Sequence, residues 1–114
     1  MKNREDYTEA NRTMWNETAA VHQTTYVDDL LKRIKAPDYC TFDTVEQRLF
    51  EQIGLSGKAV VQPSCNNSRE LIAVKKAGAA RCLGLDISDA FITQGKQLAQ
   101  AAEVDIELVR ANLY

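Results

Sequence analysis

The chain has 114 residues, with 14 basic and 16 acidic side chains, a formal net charge of −2 and 45% hydrophobic residues. That length suits one globular domain, and the slightly acidic balance excludes a broad basic nucleic-acid footprint and disfavours attachment to anionic membrane surfaces. No apolar run approaches the ~20 residues that span a bilayer. The start, Met1-Lys2-Asn3-Arg4-Glu5-Asp6, lacks the apolar centre of a secretory signal. Cys40, Cys65 and Cys82 are odd in number and lack metal-ligand spacing, so the expected setting is a reducing cytoplasm, without a metal site.

Residues 1 to 7 are charged and are expected to fray. From Thr8 the spacing of Ala10, Met14, Trp15 and Thr18 predicts a helix. Thr25-Tyr26-Val27-Asp28 has capping-box form, and Leu30, Leu31 and Ile34 follow, predicting a second helix over 26–35 that Ala36-Pro37 ends. His22, the only histidine, precedes it. Asp38 to Thr41 reads as a loop. Asp43-Thr44-Val45-Glu46 is another capping pattern, opening a helix whose Val45, Leu49, Phe50 and Ile53 are expected to face inward, with Gly54 as its stop.

The most informative stretch runs from Ala59 to Asp86. Ala59-Val60-Val61 is a short apolar run followed by Gln62-Pro63-Ser64-Cys65-Asn66-Asn67-Ser68, rich in turn formers. Arg69 to Ala77 carries Leu71, Ile72, Val74 and Ala77 at helical spacing with Gly78 beyond, and Cys82-Leu83-Gly84-Leu85 is a second apolar run closed by Asp86. Strand, helix and strand within some thirty residues make a right-handed parallel βαβ unit. The Lys75-Lys76 and Arg81 cluster complements the dipole at that helix's end. Ser88 caps a further helix to about Ala102, with Ala90, Phe91, Leu98, Ala101 and Ala102 as expected buried positions. After a turn, Ile106 to Arg110 alternates as a third strand.

In a βαβ unit the turn after the first strand lies at the carboxyl edge of the sheet beside a helix N-terminus, where nucleotide-type ligands bind. Asp86 ends the second strand on that edge, twenty positions after Asn66. One carboxylate can accept both hydroxyl donors of a ribose, so the pattern proposes an adenosine-like ligand.

The segments Val60-Val61-Gln62-Pro63-Ser64-Cys65-Asn66-Asn67-Ser68-Arg69-Glu70 and Gly78-Ala79-Ala80-Arg81-Cys82-Leu83-Gly84-Leu85-Asp86-Ile87-Ser88 resemble the first two cofactor motifs of class I S-adenosylmethionine-dependent methyltransferases. Asn11-Arg12-x-x-Trp15-Asn16 is similar to the family's N-terminal helix, and Val109-Arg110-Ala111-Asn112-Leu113-Tyr114 to the end of its third strand. The resemblance covers essentially the whole chain but only the front half of the family's seven-stranded fold. It departs in the first motif, where Gln62, Ser64, Asn66 and Ser68 stand in place of an acidic residue and alternating glycines. Asn66 suits positive φ, whereas Ser64 and Ser68 each add a Cβ where the backbone approaches the ligand.

The resemblance implies an α/β, Rossmann-like parallel sheet of three strands in the order 3-2-1, with an N-terminal helical segment over 1–58 and a βαβαβ cofactor-binding half over 59–114. It implies S-adenosylmethionine as cofactor, held by Gln62, Ser64, Cys65, Asn66, Ser68, Asp86 and Ile87. Asn112 reads as an adenine contact or as a plain chain end. Trp15, His22 and Tyr26 read as a lid on the pocket or as packed structural side chains. The family's acceptor-binding residues mostly follow the third strand, so the chain reads as a truncated, cofactor-binding portion with no assignable catalytic base or acceptor. Two other classes stay open, a different nucleotide-binding unit, without G-x-G-x-x-G in its support, and a non-catalytic interaction module on a degenerate methyltransferase scaffold. With the first strand at an edge, a homodimer or a complementary C-terminal fragment is expected to pair there.

Overall fold

The computed structural model describes residues 3–113. Helix α1 (Arg4–His22) continues through a π-helical segment (Gln23–Val27) into α2 (Asp28–Arg33), and α3 (Thr44–Ile53) follows. Strand β1 (Ala59–Pro63), helix α4 (Arg69–Lys76), β2 (Arg81–Asp86), α5 (Asp89–Ala102) and β3 (Glu107–Arg110) complete the chain. The sheet is parallel throughout, with β2 between β1 and β3, in the register Val61↔Leu83 and Leu85↔Val109. This is a Rossmann-like α/β architecture in the expected order. Among the described residues, no helix is long and apolar enough to cross a membrane.

Two successive right-handed crossovers that advance in one direction put α4 and α5 on the same face of the sheet. Beneath them, Leu71 and Val74 of α4 pack with Leu55, Ala79 and Cys82, flanked by Val60 and Leu108. Gly84 lies under this contact: a Cβ there would come within 2.7 Å of Leu108 Cδ2 and 2.9 Å of Cys65 Sγ, so close layer packing requires its bare backbone. A second cluster joins Val27, Leu30 and Ile34 to Ile72, Leu98 and Ala99, laying the N-terminal helix over α4 and α5.

Four local expectations are corrected. Helix α1 begins at Arg4 rather than Thr8, because Asn3 and Asp6 form a reciprocal capping box; Met1, Lys2 and Tyr114 lie outside the described residues. No helix starts at Tyr26. The Thr25 hydroxyl donates instead to the Val21 carbonyl at 3.0 Å, a bond back onto the preceding turn, and the wider π turn rephases the helix so that Val27, Leu30 and Ile34 reach the core. The α3 capping box at Asp43 forms as expected, but Val45, Leu49 and Ile53 are 66%, 50% and 57% exposed. Only Phe50 of that stripe packs, with its ring 4.7 Å from Phe42; periodicity records an apolar stripe but not whether a layer covers it. In α5 the buried face is Phe91, Ile92, Gln94, Gly95, Leu98 and Ala99, leaving Ala90, Ala101 and Ala102 half-buried.

Candidate functional site

The turn after β1 coils tightly without glycine. Ser64, Asn66 and Ser68 hold φ of 55°, 57° and 66°, the left-handed region that L side chains resist. Hydrogen bonds hold them there: Cys65 N–H donates to the Leu85 carbonyl at 2.9 Å, Ser68 N–H to the Cys65 carbonyl at 2.9 Å, and Asn67 N–H to Asn66 Oδ1 at 2.7 Å. Serine and asparagine can thus take the places of the glycines in the resembled motif.

Asp86 closes β2 and joins the two loops. Its Oδ2 accepts the Asn66 N–H at 2.8 Å and its Oδ1 accepts the Ser88 N–H at 2.9 Å, and the residue is only 8% exposed. Ser88 Oγ then accepts the Phe91 N–H at 3.1 Å, capping α5, and donates to Asn16 Oδ1 at 2.6 Å. Asn16 Oδ1 also accepts the Ala90 N–H at 3.2 Å. One turn earlier on α1, the Arg12 guanidinium grips Asp89 with bonds of 2.7 and 2.6 Å. This forked bond holds the Asp89 carboxyl well below its usual range and raises Arg12 further above its own.

Between these parts lies a cleft of about 510 Å³ lined by Asn11, Trp15, Ser64, Asn66, Asp86, Ile87, Phe91 and Leu113. Five of the sequence-predicted residues, Trp15, Ser64, Asn66, Asp86 and Ile87, meet on it. Among the described residues of that lining, Asp86 is the one charged side chain.

The other predicted residues sit elsewhere. Cys65 is fully buried with its Sγ toward Gly84, and burial pushes its thiol above the usual value, the signature of a packed rather than reactive cysteine. Ser68 is fully buried at the start of α4. Gln62 is half-buried, and its Oε1 has no hydrogen-bond partner among the described residues. Asn112 is exposed. His22 and Tyr26 stand behind the wall: Tyr26 Oη lies 3.1 Å from His22 Nδ1 and accepts Asn67 Nδ2–H at 3.1 Å, while the His22 ring rests 5.6 Å from that of Phe91.

Asn11, Phe91 and Leu113 were not among the predicted site residues. Asn11 and Trp15 are four apart on a helix, a spacing that puts them on one face, and Phe91 follows Ser88 by three, the position a capping serine holds. Arg12 and Asn16 share a second such spacing and latch the helix to the loop. Among the described residues no cluster of three or more His, Cys, Asp or Glu side chains is arranged to hold a metal ion. No protein-family model matches this chain, and no curated protein matches it.

Proposed function

We propose that the cleft binds the adenosyl portion of S-adenosylmethionine and that the chain is the cofactor-binding portion of a methyltransferase. The observation that carries this reading is the 2.8 Å bond from Asn66 N–H to Asp86 Oδ2, because it brings the turn after β1 and the acid after β2 to one cavity. A carboxylate offers about four acceptor sites, so after two backbone amides Asp86 keeps lone pairs for ribose hydroxyls. The cavity volume lies within the roughly 300–1,000 Å³ of small-molecule sites. Trp15, Phe91 and Ile87 supply flat and apolar surface for a base.

Among the described residues the lining carries one carboxylate and no basic side chain, which suits ribose hydroxyls and a sulfonium cation. The three free cysteines fit a reducing, cytoplasmic setting. A non-catalytic role for the same scaffold is the competing reading.

Calorimetric titration of the 114-residue chain with S-adenosylmethionine, S-adenosylhomocysteine and NAD tests the proposal. Saturable binding of either of the first two supports it. Binding of NAD alone, or of none of the three, sinks it.

A further inference from the structure

We propose that the cleft selects an adenine nucleoside by its ribose and base alone, because the turn after β1 gives no anchor to a charged group carried on the 5′ carbon. This rests on the reading of the cleft as an adenosyl site and narrows what that site recognises.

The amides of the turn are already taken. Five in a row donate inside the protein: Cys65 N–H to the Leu85 carbonyl at 2.9 Å, Asn66 N–H to Asp86 Oδ2 at 2.8 Å, Asn67 N–H to Asn66 Oδ1 at 2.7 Å, Ser68 N–H to the Cys65 carbonyl at 2.9 Å and Arg69 N–H to Asn67 Oδ1 at 3.4 Å. Two of those acceptors are asparagine side chains of the turn itself. A glycine has no side chain to serve in this way, so glycine-rich turns leave their amides to a ligand's anionic group. Here Asn66 and Asn67 occupy them instead.

No side chain replaces the lost donors. From this turn only Ser64 and Asn66 reach the lining of the cleft, and both are neutral. Arg69, the one cation beside the turn, is engaged elsewhere, with its guanidinium 5.9 Å from the centre of the Tyr26 ring and 3.8 Å from Glu70 Oε1. Among the described residues the lining holds a single charge, the Asp86 carboxylate, which accepts hydroxyl donors and repels an anion. Trp15, Ile87, Phe91 and Leu113 give the same cavity apolar surface that suits a base. Ribose and base therefore find partners, and a carboxylate or phosphate on the 5′ arm finds none.

Calorimetric titration of the 114-residue chain with S-adenosylhomocysteine, 5′-methylthioadenosine and adenosine 5′-monophosphate provides the test. The first two are both neutral at sulfur and differ only in the amino-acid arm, so their ratio of affinities isolates that arm. The expected ratio is within about threefold of one, with the monophosphate weaker than either by roughly tenfold or more. Asn66→Gly keeps the left-handed backbone and the amide to Asp86 but removes the acceptor of the Asn67 N–H, so it should shift the ratio toward S-adenosylhomocysteine while circular dichroism shows a folded chain. S-adenosylhomocysteine bound roughly tenfold tighter than the methylthio nucleoside by the parent chain, or the monophosphate bound as tightly as the thioethers, would overturn this inference and leave the adenosyl reading standing. A ratio unmoved in folded Asn66→Gly would overturn the role given to Asn66. Binding of none of the three would sink the adenosyl reading itself, and the inference with it.

Discussion

The β1–α4 turn and the β2–α5 loop border the same cleft, yet the first holds three non-glycine residues in left-handed backbone while the second is extended at Ser88 and capped in the ordinary way. Ser68, which precedes α4, makes no side-chain cap, whereas Ser88 caps α5 and is itself bonded by Asn16. One loop stores strain and the other stores hydrogen bonds. Left-handed non-glycine residues cost on the order of 1 kcal/mol or more each, and a buried charge-assisted hydrogen bond contributes roughly 1.5–3 kcal/mol. The two bonds to Asp86 are therefore large enough to offset the turn's strain, and the relaxed loop is what holds the strained one in place.

Removing that link gives the largest expected effect. Asp86→Ala leaves the Asn66 and Ser88 amides without their acceptor and should cost about 3 kcal/mol, read as a lower urea midpoint at unchanged slope. A loss below about 1 kcal/mol would mean that the turn holds its shape unaided.

A matched pair of substitutions sharpens the contrast. Ser64→Gly relieves a left-handed residue at an exposed position and should stabilise the fold by about 1 kcal/mol. Ser88→Gly removes the bonds to Phe91 and Asn16 and should destabilise it by about 1 kcal/mol. Thermal melts that shift in the same direction for both variants would erase the distinction between the loops.

The smallest effect is acid dependence at the rim. Asp89 has its carboxyl depressed below the ordinary 3.8 by the Arg12 fork, so its contribution is complete above that value and is lost as pH falls below it. The pair is partly solvent-exposed, at 29% for Arg12 and 50% for Asp89, and the loss should be shallow and screened by salt. Urea midpoints between pH 5 and pH 2 should fall more for the parent chain than for Asp89→Asn. Parallel curves would show that the fork adds no stability.

Both loops were partly legible before the fold was known. Ser88 reads as a cap because its hydroxyl can reach the amide three residues on, a purely local bond, and the same holds for Asp43. The capping pattern at Thr25 is equally local, yet it lost to a continuous helix in which the hydroxyl bonds backward, because core contacts of Val27, Leu30 and Ile34 reward continuation. The spacing of Asn66 and Asp86 foretold their meeting, since a βαβ unit brings both strand ends to one edge. Nothing local marked Leu113 as part of the cleft, or Cys65 as packed between the sheet and α4.

Read alone, the residue order determined the alternation of strands and helices, the caps at Asp43 and Ser88, and the shared edge of Asn66 and Asp86. Each follows from forces that act within a few residues or from the fixed handedness of a crossover. Tertiary structure alone decided that Val45, Leu49, Ile53 and Val61 face outward, that Gly84 gives way to Leu108 and Cys65, and that Arg12 and Asn16 latch onto the loop after β2. The reason is that an apolar side chain's fate depends on which distant element arrives to cover it, and periodicity along one segment carries no record of that arrival.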